Sequence, residues 1–242
     1  MTVQNKRNNQ AIIEGEICSD FSYSHTIFGV NYFSVMLKAS RLSQSIDLIP
    51  LLVSEHLVDV SHTYLGKYVR VSGPIRSYTE NVNKKNHLIL SLLVKDWMLI
   101  DSLDDNILNM IFLEGYICKK PVYRLTPFGK EITDVFLAVN RTFGDRSDYI
   151  PLILWGKLAR IAGGLPIGDH IQIWGRFQSR EYQKRVDQDH YKSYITYEVS
   201  VNDMKDCGSS DQKKQYSTNR YVAESNHRKL SYGKSGKTHK LG

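Results

Sequence analysis

The chain has 242 residues, length for one or two domains, and its 41% hydrophobic content is enough to build real cores. No apolar run is long enough to span a bilayer and no signal-peptide pattern opens the chain, so the expectation is a cytoplasmic protein without a membrane partner. The net charge of +7 is unevenly spread. Residues 1–109 carry 10 basic and 11 acidic side chains, residues 110–204 carry 13 and 11, and residues 205–242 carry 9 and 3. Total charge is therefore a poor argument for a basic domain, and any binding surface has to be sought in which residues share a face.

Residues 1–10 are polar and unpatterned and are expected to be a disordered arm. From Ala11 the chain starts a pattern that recurs about a hundred residues later. Ile13-Glu14-Gly15-Glu16-Ile17-Cys18 parallels Leu113-Glu114-Gly115-Tyr116-Ile117-Cys118, Phe28-Gly29 parallels Phe128-Gly129, and Arg41 parallels Arg141. Asp47-Leu48-Ile49-Pro50-Leu51 parallels Asp148-Tyr149-Ile150-Pro151-Leu152, and Gly66 and Gly73 parallel Gly168 and Gly175. The repeat divides the chain into a diverged domain over 11–101, a short polar connection, a second domain over 110–204, and a basic tail over 205–242. The tail loses all periodicity and is expected to be disordered.

The second copy is the more informative. Tyr149 to Trp155 reads as a strand, and its end residues, six apart, project from one face. Lys157 to Ala162 reads as a short helical turn with Leu158, Ile161 and Ala162 on one stripe. The next strand alternates, with Ile171, Ile173, Gly175 and Phe177 inward. Gln172, Trp174, Arg176, Gln178, Arg180 and Tyr182 face outward. Rings and cations on one outward face suit a single-stranded nucleic acid, whose bases stack and whose phosphates need positive charge. The competing account makes Trp155, Trp174 and Tyr182 core or subunit-interface residues, where aromatics are also common.

Several matched segments point to a family: Phe112-Leu113-Glu114-Gly115, Tyr123-Arg124-Leu125-Thr126-Pro127-Phe128-Gly129 and Val135-Phe136-Leu137-Ala138-Val139-Asn140-Arg141. Trp155-Gly156-Lys157-Leu158-Ala159 and Gly175-Arg176-Phe177-Gln178-Ser179-Arg180-Glu181-Tyr182 follow in the same order. In order and spacing these resemble the bacterial single-stranded DNA-binding proteins. The resemblance implies an all-β chain of two tandem OB-fold barrels, five-stranded Greek keys, each with a short helix. It also implies that Phe143, Tyr149, Trp155 and Tyr182 occupy base-stacking positions.

The expected nucleic-acid contacts are Arg124, Arg141, Phe143, Tyr149, Trp155, Lys157, Trp174, Arg176, Arg180, Tyr182, Lys184 and Arg185. Tyr149 and Trp155 become Leu48 and Ser54 in the first copy, so only Arg70, Arg76 and Tyr78 are expected to give it weaker contacts. The expected activity is coating of single-stranded DNA with little sequence preference, in replication, recombination or repair, by a homodimer. A primosome-like or RNA-binding OB protein is the alternative, as is an interaction protein whose barrels no longer bind nucleic acid. The resembled family ends in an acidic peptide that recruits other enzymes. The basic end here, Lys237-Thr238-His239-Lys240-Leu241-Gly242, argues against that partner-recruiting role and suggests a relative from a mobile element.

No cofactor, metal or catalysis is expected. Three cysteines do not make a disulfide framework, and Cys/His pairs at zinc spacing are absent. Cys18 and Cys118 read as small buried hydrophobes on equivalent strands. Ser235-Gly236-Lys237-Thr238 ends like a phosphate loop, but Ser231 stands where its leading glycine would fall and no strand precedes it.

Overall fold

The computed structural model describes residues 8–41, 43–82, 85–103, 108–142, 144–185, 191–208 and 215–217, with the backbone alone for 82, 85, 184, 185, 191, 192 and 215–217. The first half runs β1 (Asn9–Ile17), β2 (Ser22–Ile27), β3 (Val30–Ser40), β4 (Ile46–Ser54), β5 (Tyr68–Gly73), β6 (Ile75–Val82), β7 (Lys85–Leu93) and β8 (Asp96–Ile100). The second runs β9 (Asn109–Ile117), β10 (Val122–Leu125), β11 (Glu131–Asn140), β12 (Ser147–Trp155), α1 (Lys157–Ala162), β13 (His170–Arg185) and β14 (Tyr191–Asp206), followed by β15 (Gln215–Ser217).

Each half closes on itself. In the second, β9 pairs with β11 and β13, β11 with β12, β12 in parallel with β14, and β14 with β13. The first half repeats this circuit, with β5 and β6 together doing the work of β13, and β7 and β8 that of β14. These are the two tandem five-stranded OB barrels expected from the repeat. Alternation fills each interior. Ile13, Leu37, Ile49, Leu51, Val71, Ile75 and Leu92 are buried in one, and Leu113, Leu137, Ile150, Leu152, Ile171, Ile173 and Phe177 in the other. The repeated glycines mark close approach between strands. A Cβ at Gly15 would meet the Lys38 carbonyl oxygen at 2.5 Å, and one at Gly115 would collide with that of Ala138.

Three expectations need correction. The arm expected over residues 1–10 is shorter, because β1 begins at Asn9, whose side-chain amide donates to the Ile75 carbonyl oxygen and accepts from the Ile75 N–H, both at 2.8 Å. A short helix was expected in each barrel, but α1 is the only helix among the described residues. The segment after β4 forms turns instead. Its Glu55 carboxylate is held by the Asn31 backbone and side-chain amides at 2.8 and 3.0 Å, and Asp59 accepts from the Ser61 N–H at 3.0 Å. Such local bonds compete with helix, and Val58 and Val60 add β-branched side chains. Phe21, Tyr64 and Trp97, in mutual ring contact, pack on the first core instead. The third correction concerns the tail. β14 continues to Asp206, and β15 pairs with it at Asp203 to Lys205, so ordered backbone extends past residue 204. Apart from Cys207 and Gly208, the rest of the tail lies outside the described residues.

The barrels join through their first strands. β1 and β9 are antiparallel, and Ala11 pairs with Ile111, its own counterpart in the repeat. Asn9 pairs with Leu113 and, reciprocally, Ile13 with Asn109, so a pseudo-twofold axis passes through Ala11 and Ile111. Pairing of β8 with β5, β5 with β1, β9 with β13 and β13 with β14 extends this ribbon into a six-stranded antiparallel sheet across the axis.

The same symmetry governs the flanks. Asp47, fully buried, accepts from Arg41 Nη2 at 2.6 Å and from the Ser179 N–H of the other barrel at 2.8 Å. Asp148, equally buried, accepts from Arg141 Nη2 at 2.7 Å and from the Ser77 N–H at 2.9 Å. Arg41 and Arg141 also donate across the junction, to the Ser179 and Ser77 carbonyl oxygens. Each buried carboxylate is thereby paired and hydrogen-bonded, the condition under which burial is tolerable.

Candidate nucleic-acid interface

The outward face of the second barrel is built by β11 and β12. Along β12, Tyr149, Pro151, Ile153 and Trp155 share the face away from the barrel interior, opposite Ala138, Phe136, Asp134 and Ile132 of β11, though Ile153 and Ile132 are covered and buried. Tyr149 is 50% exposed and Trp155 38%. At a strand rise of ~3.4 Å per residue the two rings stand roughly 20 Å apart on one ribbon. Cations lie between them. Lys119 Nζ sits 4.3 Å from the centre of the Phe136 ring, and Arg124 Nε donates to Asp134 at 2.7 Å. That bond holds the Arg124 guanidinium above its ordinary pKa, so it is a permanent cation, though a shared one. Trp155 is oriented by its Nε1–H, which donates to Ser200 Oγ at 3.3 Å. Exposed Lys157 opens α1 immediately beyond it.

The long β13–β14 hairpin carries the rest. Tyr182 is 40% exposed and stacks on its cross-strand partner Tyr194, with centroids 5.6 Å apart and planes at 22°. Arg180 Nε lies 3.4 Å from Glu198, whose buried carboxylate also accepts from Gln178 Nε2 at 2.8 Å. Arg176 donates to Gln178 Oε1 at 3.1 Å. Burial first, and Arg41 second, push the Arg176 guanidinium below its ordinary pKa. Lys184 and Arg185 lie on β13, where the backbone alone is described, and Phe143 lies outside the described residues.

Other expected contacts are placed elsewhere. Arg141 and Arg76 are both bound to Asp148 in the junction, and Arg70 pairs with Glu14. Trp174 packs on Phe112 at 5.3 Å, on the six-stranded sheet rather than beside Trp155. Tyr78 is 54% exposed on β6, and the preceding Ser77 Oγ accepts from the Tyr149 N–H at 2.7 Å. The hairpin of the first barrel thus borders the aromatic ribbon of the second. Sequence reasoning passed over Tyr194 and the hairpin-tip residues Phe28 and Phe128, 100% and 90% exposed. The Phe-Gly repeat was the available signal for those tips, whereas the Tyr182–Tyr194 pair depends on register.

The geometry defines a class: a tandem-OB chain with an aromatic and cationic outer ribbon on one barrel. Comparison with known proteins gives the family. Residues 108–222 match the model of the "Single-strand binding protein family". The "Single-stranded DNA-binding protein 2" of Streptococcus agalactiae is 36% identical over 94 residues, 36% of this chain and 69% of that protein. The protein of the same name from Listeria innocua is 35% identical over 99 residues, 38% of this chain and 60% of its own length. The chain belongs to the single-strand binding protein family. It spans only half to about two thirds of the curated relatives it matches. The wild-type single-stranded DNA binding protein of Thermus aquaticus shares the fold at 17% identity, with a TM-score of 0.60 over 85% of this chain and 96% of that one.

Proposed function

We propose that this chain binds single-stranded DNA with little sequence preference, chiefly through the second barrel. The observation that carries the reading is the outward row from Tyr149 to Trp155, with Phe136 and Lys119 between its ends. Rings offer stacking to any base, and cations follow the backbone without reading it. Tyr182 on Tyr194, Arg180 and Lys157 continue the surface, and Lys184 and Arg185 follow in sequence along β13. In this reading the work is binding rather than catalysis, close to the nucleoid, in replication, recombination or repair. Arg141, Arg76 and Arg70 serve the junction and the sheet before they serve any phosphate.

The reading includes a homodimer. The outer face of the six-stranded sheet presents Ile12, Met98, Met110, Phe112 and Trp174, an apolar strip suited to closed twofold association. Titrating intrinsic tryptophan fluorescence with oligo-dT, oligo-U and a duplex tests the ligand, and light scattering tests the assembly. Preference for the duplex, or no response to oligo-dT, would refute the binding reading. A monomer mass at working concentration would refute the dimer.

A further inference from the structure

We infer that the first barrel keeps a base-stacking platform of its own, moved one strand over, on Tyr32 and His25. In the second barrel Trp155 of β12 stands opposite Ile132 of β11. In the first, the equivalent cross-strand pair is Ser54 of β4 opposite Tyr32 of β3. The ring has moved from one strand of the pair to the other, opposite a small Ser54 here and a buried Ile132 there, so an aromatic group stays at the same cross-strand position while its backbone attachment changes.

Tyr32 does not stand alone. A bulge at Ser24 shifts the β2–β3 register between Tyr23 and His25, bringing His25 rather than Ser24 opposite Tyr32. The two rings lie 5.4 Å apart with planes only 13° from parallel. Their supports are fixed. Ser24 Oγ bonds His25 Nδ1 at 2.9 Å, Thr26 Oγ1 donates to Asn31 Oδ1 at 2.6 Å, and Glu55 clamps the Asn31 backbone and side chain. A platform held in place before its ligand arrives loses little entropy on binding.

The occupant this chemistry fits is a nucleobase of the strand bound by the second barrel, so the inference rests on the single-strand reading. Among the described residues the one cation–ring contact is Lys119 on Phe136 in the other barrel, and the side chains that brace Tyr32 and His25 are Ser24, Thr26, Asn31 and the acidic Glu55. The site therefore stacks without neutralising phosphate, which separates it from the salt-sensitive surface of the other barrel.

The test compares two oligo-dT lengths on the full chain, about 8 nucleotides and about 32, enough for two barrels at up to ~16 each. Tyr32→Ile is expected to weaken the long oligonucleotide about tenfold, to leave the short one unchanged and to leave the salt slope unchanged. Adding Ser54→Trp to Tyr32→Ile recreates the pair of the second barrel and is expected to restore affinity. Unchanged affinity for the long oligonucleotide in Tyr32→Ile would overturn the inference and leave the rings as hairpin packing. Trp155→Ala separates the two levels: if it weakens binding and Tyr32→Ile does not, the single-strand reading stands and this platform falls. Photocrosslinking of wild-type protein to an iodouracil oligonucleotide guards against a variant that misfolds. An adduct on Tyr32 or His25 supports the platform, and adducts confined to the second barrel refute it.

Discussion

Arg76 of the first barrel donates from Nη1 to Asp148 of the second at 2.6 Å, inside a carboxylate that has no solvent exposure. Asp148 is also bound by Arg141 and by the Ser77 N–H, so three donors from two barrels converge on one side chain. Asp148→Ala should strand two half-buried guanidinium groups and cost about 3–5 kcal/mol. Arg76→Ala should cost less, because Arg141 still neutralises the carboxylate. Urea denaturation of the two variants measures the order, and an Asp148→Ala loss below that of Arg76→Ala would contradict it.

The second prediction concerns the aromatic ribbon. Trp155→Ala and Tyr182→Ala should each weaken oligo-dT binding by roughly tenfold or more, since a stacked base contributes ~1–3 kcal/mol. Tyr78→Ala should weaken it much less, because that ring borders the ribbon instead of belonging to it. Fluorescence or anisotropy titration decides. Equal effects at Tyr78 and Trp155 would remove the division between the barrels.

The third concerns salt. Residues 209–242 carry 8 basic and 2 acidic side chains. Truncation after Gly208 keeps all of β14, and it should lower affinity at low salt and flatten the dependence of log K on log salt. Each phosphate that the shortened chain no longer neutralises changes that slope by about 0.7. At high salt the truncated and full chains should converge. Identical slopes would mean that the tail does not touch the strand.

The fourth concerns thiols. Cys18 and Cys118 are partly buried, and their Sγ atoms lie 3.4 and 3.3 Å from the Met36 and Phe136 carbonyl oxygens. Burial raises both thiol pKa values, with Glu16 adding to the rise at Cys18. Less thiolate is present at neutral pH, so both should alkylate more slowly than a free cysteine, faster as the pH rises. Mass spectrometry of iodoacetamide-treated protein reads each site. Alkylation at the rate of a model thiol would show that the strands open readily there.

Much of this architecture could be read from residue spacing, because alternation and a hundred-residue repeat are local or periodic signals. The strand containing Tyr149 and Trp155, the helix at Lys157–Ala162 and the inward set Ile171, Ile173 and Phe177 follow from pattern alone. What spacing cannot reveal is what faces an outward side chain. Arg141 and Arg76 are outward and cationic, yet the partner they share across the junction is the buried Asp148. Trp174 shares parity with Arg176 and Arg180 but lies where β13 pairs with β9, beside Phe112. The exchange of ring between Trp155 and Tyr32 was hidden for a related reason. Comparing the repeats position by position shows Ser54 as a loss, and only cross-strand register shows the gain opposite it.

The antiparallel pairing of β1 with β9 also decides how this molecule responds to dilution. Two separate barrels meeting at that seam would part as their concentration fell. Tethered through the few residues between Ile100 and Asn109, they face each other at an effective concentration of order millimolar or higher at any dose. The seam is therefore a unimolecular property, and its two sides are free to differ. In a symmetric pair any substitution is made twice, whereas here Arg76 reinforces Asp148 while Gln178, at the equivalent place, turns instead to Glu198. One gene can thus specialise one barrel without disturbing its twin.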